Sequence, residues 1–205
     1  MVTGAVVNFA LGSLLGAAEY GNYGVTIRWV SLLNMMVVQG LLQGMSRAVS
    51  REPAAAGTLW RSARVTVAGV GMVGAAVVVL AAAPLGTLLG DPSLVPGLRV
   101  AAVITGFYAL YSAQVGVLNG LQLFGRQAWL DMGFSTAKAV FILGAAALGL
   151  GATGSVGGFG VAAVVLTAVT AWAIRDAPRG LPTAPLHARD LLGFSGLVMA
   201  YQALL

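Results

Sequence analysis

Long apolar stretches recur along the whole chain, separated by short gaps that hold most of its charges. About 20 consecutive apolar residues are needed to cross the hydrocarbon core of a bilayer as a helix. Several stretches here exceed that length. Only 8% of the residues are charged, against about 25% in soluble globular chains, and the mean hydropathy is +0.91. The pattern predicts an all-α integral membrane protein.

Six spans are predicted, with the start of a seventh. The first runs to about Leu15, and the second covers about 23–47, with the glycine-rich Tyr20 to Gly24 read as a turn before it. The others are expected near 65–89, 98–121, 127–149 and 155–174. Asp91-Pro92 and Pro96-Gly97 read as the turn between the third and fourth. Residues 2–17 have no Lys or Arg ahead of them, so the charged region of a signal peptide is missing. They read as a short or truncated first span. This divides the chain into a six-helix lobe (1–175), a Pro- and Arg-rich connector (176–190) and a truncated seventh helix (191–205).

Arg47, Arg51, Arg61 and Arg64 follow the second span, Arg126 the fourth, and Arg175, Arg179 and Arg189 the sixth. The three alternate gaps hold Arg99 alone. Cytoplasmic loops carry the excess of Lys and Arg, so this alternation places the N-terminus in the cytoplasm. The formal charge of +5 thus belongs to topology. Without aromatic–basic interleaving, it does not predict a nucleic-acid partner.

Several chemistries are excluded. There are no cysteines and one histidine, His187, which reads as a solvated residue of the connector. Paired carboxylates and a phosphate loop are missing, so neither an enzyme nor a bound cofactor is expected. Gly69 to Gly74 and Gly149 to Gly154 match the spacing of a dinucleotide fingerprint, but neither sits in a strand–turn–helix unit. Pairs such as Gly40/Gly44 and Gly116/Gly120 would permit close helix packing.

The second span differs from its neighbours. Arg28, Gln39, Gln43, Ser46 and Ser50 fall within a sector of about 60° on a helix, with Asn34 nearly opposite. A helix facing only lipid would not keep such a stripe, so a cavity or protein contact is expected beside it. Arg28 fits either a lumenal role or snorkelling to the headgroups. Gln39 and Gln43 fit interhelical hydrogen bonding as well as a cavity. Lys138 is the deepest charge, about 18 Å from the arginine-bearing end of its span. Asp131 lies seven residues before it on the same face. An axial offset of about 10 Å is too long for a direct ion pair, so both are expected to point into one cavity.

Three stretches carry a family resemblance. The first is Gly16-Ala17-Ala18-Glu19-Tyr20-Gly21-Asn22-Tyr23-Gly24, followed by an apolar helix closing on Gln43-Gly44-Met45-Ser46-Arg47. It resembles the opening of polysaccharide flippases, the O-antigen and capsule exporters of the multidrug/oligosaccharidyl-lipid/polysaccharide (MOP) superfamily. The second, Gly116 to Arg126, is similar to that family's turn between spans four and five, and Leu191 to Ser195 to the start of its seventh span. The resemblance implies a MOP/MATE-like half transporter, whose second six-helix lobe comes from the same full-length chain or a dimer partner. It implies outward movement of undecaprenyl-pyrophosphate-linked oligosaccharide across the bacterial cytoplasmic membrane by alternating access. Arg28 and Lys138 would meet the pyrophosphate, and Asp131 would be the ion-coupling site. The related lipid II flippases carry adjacent arginines about where Asn34 and Met35 stand, which points away from a peptidoglycan precursor. A cation-coupled multidrug antiporter of the same superfamily and a non-transporting membrane scaffold subunit are the alternatives.

Overall fold

The computed structural model describes residues 2–181 and 188–204. Residues 182–187 of the connector, His187 among them, lie outside the described residues. Six α-helices follow in order: α1 (Val2–Arg51), α2 (Ala56–Leu88), α3 (Leu94–Gly120), α4 (Phe124–Ala147), α5 (Gly151–Ala173) and α6 (Ala188–Leu204), with a 3₁₀ turn at Pro53–Ala55 before α2. α1 to α5 are long and apolar enough to cross a membrane.

α1 holds the first two expected spans, and the break between them falls elsewhere than expected. Residues 20–24, read as a glycine-rich turn, are helical. The reversal is concentrated at Gly16, with φ 73° and ψ 169°. A Cβ makes that backbone unfavourable, so glycine is the residue that can occupy it. The two arms of α1 fold back on each other there. Val7 and Arg28 line one cavity, whereas a straight helix would hold them about 32 Å apart. Helix boundaries differ for simpler reasons. α2 begins at Ala56 rather than near 65 because the helix continues past the apolar run into its arginine-bearing end. Pro96 sits in the first turn of α3, where a missing N–H costs nothing, and so does not end the preceding loop.

α3 is the central helix. Seventeen of its 27 residues are buried, against three of the 24 in α4. On one side, Ala113 and Val117 pack with Leu41 and Met45 of α1 and Ala63 and Val67 of α2. Toward the other end, Ala101 and Ile104 pack with Val30 of α1, Ile142 of α4 and Val156 of α5. Between α1 and α3 the backbones nearly touch. A Cβ at Gly116 would lie 2.6 Å from the Leu42 carbonyl oxygen, and one at Gly120 would lie 2.6 Å from Val49 Cβ. Gly44 of the other pair packs likewise against α6, where a Cβ would lie 2.6 Å from Ser195 Oγ.

The Gly16 reversal is open to a clean test, since no atom lies within 4 Å of a Cβ built at either Gly16 or Gly21. Gly16→Ala should lower stability by about 1–3 kcal/mol through backbone strain alone. Gly21→Ala, inside a helix, should be neutral or stabilising by up to about 1 kcal/mol. Thermal unfolding of the detergent-solubilised variants compares the two directly.

Candidate functional site

The Gly16 reversal brings the start of α1 beside its own middle, and α4 closes the third side. Between them lies a cavity of about 520 Å³ lined by Asn8, Tyr20, Tyr23, Arg28, Ser135 and Lys138, among others. The two spans that each carried one deep cation therefore present both to the same space. The lining is mixed, with apolar Val7, Ile27 and Ile142 between the polar groups.

Neither cation is neutralised. Among the described residues, no carboxylate lies within 4.0 Å of Arg28 or Lys138. Lys138 instead rests against aromatic faces, with Nζ 5.0 Å from the Phe159 ring centroid and 5.8 Å from that of Phe134. A cation–π contact contributes about 0.5–2 kcal/mol, against about 2.5–3.5 kcal/mol for a charge at mid-membrane. The rings offset part of that cost and leave the positive charge in place. Such a cavity is chemically suited to an anion.

Asp131 is placed differently from the expectation that it shares this cavity. It does not line it. Its Oδ1 accepts a 2.6 Å hydrogen bond from the Tyr111 hydroxyl of α3. Tyr108, Tyr111, Phe134 and Phe159 form a ring cluster with centroids 5.5–6.1 Å apart, in which Tyr108 meets the other three edge-to-face and Phe134 is tilted against Tyr111 and Phe159. This aromatic wall stands between the carboxylate and the lysine. Gln39 and Gln43 are half-buried and exposed respectively, and neither lines the cavity. Asn34, on the opposite side of α1, is buried and its Oδ1 has no hydrogen-bond partner.

Glu19 is a site-shaping residue that the pattern of spans did not single out. Its Oε2 accepts a 2.6 Å hydrogen bond from the Ala152 N–H at the first turn of α5. A carboxylate there meets the positive end of the α5 dipole and one of its orphan donors. This ties the cavity-lining turn of α1 to α5. Asn22 Nδ2 donates to Ser93 Oγ at 2.8 Å, and Ser93 Oγ in turn donates to Asp91 Oδ1 at 2.6 Å. These contacts anchor the same stretch of α1 to the α2–α3 turn. The only sequence signal was the position of Glu19 within Gly16 to Gly24, a motif read for resemblance.

With this geometry in view, comparison with known proteins is informative. A family model described as polysaccharide biosynthesis protein matches residues 10–205. The chain belongs to that family. No curated protein matches it. Among solved structures, this polysaccharide biosynthesis family member resembles a MOP superfamily transporter from Pyrococcus furiosus, with a TM-score of 0.71 and 16% identity over 99% of the chain. The chain spans 50% of that transporter's length. The shared fold is a multi-pass, all-α membrane bundle that corresponds to half of that protein. That transporter was described as having a binding pocket of reverse polarity, suggesting a different function.

The cavity's hydration can be tested because the chain has no cysteines. Ser135→Cys, on the cavity wall, should react with a water-soluble maleimide in intact vesicles at least about tenfold faster than Val140→Cys, an exposed position on the same helix outside the lining. Equal rates would mean that the cavity is closed to water.

Proposed function

We propose that this chain is the N-terminal lobe of an exporter that moves lipid-linked oligosaccharide, with a pyrophosphate anchor, out across the bacterial cytoplasmic membrane. The observation that carries the reading is the pair Arg28 and Lys138, facing one cavity with no carboxylate of the described residues against either. A pyrophosphate is a compact, multiply charged anion. Two cations in a confined cavity walled by low-dielectric protein attract it more strongly than they would in bulk water. At about 520 Å³ the cavity falls within the usual 300–1,000 Å³ of ligand sites. It holds the anchor and the first sugar rather than a whole glycan.

A second six-helix lobe, from the same polypeptide or a partner copy, would complete the walls. Alternating access then follows if the two lobes rock about the cavity. The eight arginines gathered at one end of the spans support a cytoplasmic N-terminus. With no nucleotide-binding or catalytic group in the lobe, the driving force would come from an ion gradient. Asp131, hydrogen-bonded to Tyr111, is the carboxylate placed to couple it. The multidrug-antiporter alternative is weaker, because a cationic drug would meet Arg28 and Lys138 rather than an acidic wall. A scaffold role leaves the two unpaired cations without a purpose.

Lys138→Ala and Lys138→Met should each lower glycan export at least about tenfold, in cells lacking their own flippase and supplied with the second lobe. Membrane levels of the protein should be unchanged. Normal export by both variants would remove Lys138 from the mechanism.

A further inference from the structure

A second basic site lies at the opposite end of the lobe, away from the Gly16 reversal. Arg61 and Arg64 stand one turn apart on α2, while Arg175 and Arg179 follow α5. The four converge, with Trp60, on a cleft of about 150 Å³. The chain after α5 is held against the start of α2 by three hydrogen bonds, which build the cleft. The Gly57 N–H donates to the Pro178 carbonyl at 2.6 Å, and the Gly180 N–H donates to the Ala54 carbonyl at 2.8 Å. The Thr58 hydroxyl donates to the Gly180 carbonyl at 3.0 Å. Arg179 is itself oriented by a 2.8 Å bond from Nη2 to the Arg175 carbonyl.

This gathering of like charge is largely uncompensated. Among the described residues, Arg175 alone of the four makes an ion pair, at 3.5 Å with Asp176, and both partners are exposed. The remaining guanidiniums present planar forks suited to phosphate oxygens. The cleft is well below the 300–1,000 Å³ of sites that enclose a whole small molecule, so it accommodates a phosphate group rather than a nucleotide or a sugar chain. Depth and surroundings separate a lipid phosphate from a free one. Trp172 lies under Arg175, 4.5 Å from ring centroid to guanidinium carbon, and tryptophans mark the headgroup level of a bilayer. An adjoining cleft of about 330 Å³ shares Arg175 and is lined by Trp129, Leu130 and Trp172. It offers apolar surface for a glycerol backbone and the start of an acyl chain.

We infer that the Arg61/Arg64/Arg175/Arg179 cleft binds the phosphodiester of an anionic membrane phospholipid. The lipid would bridge α2 and the end of α5, and so hold the two ends of the lobe's arginine-rich face together. This site does not depend on the export reading.

Native mass spectrometry of the 205-residue chain, released from neutral detergent with added phosphatidylglycerol, tests the inference. The protein should retain phosphatidylglycerol in preference to phosphatidylcholine. Arg61→Gln with Arg179→Gln should weaken that retention at least about tenfold, and the two lysine replacements should recover part of it. The charge-matched pair Arg51→Gln and Arg189→Gln, outside the cleft, should change it by less than about twofold. Circular dichroism confirms helical content for each variant. Equal losses from both pairs would reduce the effect to diffuse surface charge and overturn the site. Displacement of the lipid by equimolar inorganic phosphate would overturn its assignment to a lipid.

Discussion

A cation inside a bilayer must meet water, a partner or an aromatic face, and the lobe is arranged around two that no acid among the described residues pairs. Arg28 and Lys138 belong to different helices, and each is costly where it stands. The structure reduces the cost by giving them a common cavity, and by resting Lys138 against Phe134 and Phe159. The aromatic contacts recover part of the energy without removing the charge. The cavity therefore keeps its positive potential, which is the property a transporter of anionic lipids would use.

That arrangement depends on one backbone conformation. Gly16 turns the first arm of α1 back so that Val7 and Asn8 complete the cavity opposite Arg28. Glu19 then pins the reversed segment to the first turn of α5, and Asn22 pins it to Ser93 before α3. Close approach of α1 and α3 at Gly116 and Gly120 holds the long arm in place along the core. Helices pack in lipid mainly through such small-residue contacts and hydrogen bonds, since the tails are as apolar as the side chains. Polar anchors at the Gly16 end of the helices and glycine contacts toward their opposite end divide that work here.

Much of this was legible in the chain, and the gaps have physical causes. Lys138 and Arg28 were conspicuous because a lone charge in an apolar span has few explanations. The spans themselves followed from hydropathy alone. Their ends did not, because hydropathy reports where the bilayer lies while the helix of α2 runs on through Arg61 and Arg64. Pro96 looked like a breaker and is a first-turn proline. Gly21 and Gly24 looked like a turn, yet only one glycine of the stretch, Gly16, takes a positive φ. The stripe through Gln39 and Gln43 is real helical geometry, but which face meets the cavity depends on α4 and on the reversal, and neither is written in α1. Asp131 and Lys138 share a helix face, but the aromatic wall that separates them is assembled from three helices.

The central claim is that the cavity recognises a lipid pyrophosphate through Arg28 and Lys138. The most direct measurement is the affinity of the purified protein for a polyprenyl pyrophosphate, the corresponding monophosphate and the free alcohol. The account predicts tightest binding of the pyrophosphate, weaker binding of the monophosphate and little of the alcohol, with the order lost in Arg28→Gln/Lys138→Gln. Equal binding of all three lipids, or an unchanged order in the double variant, would contradict it.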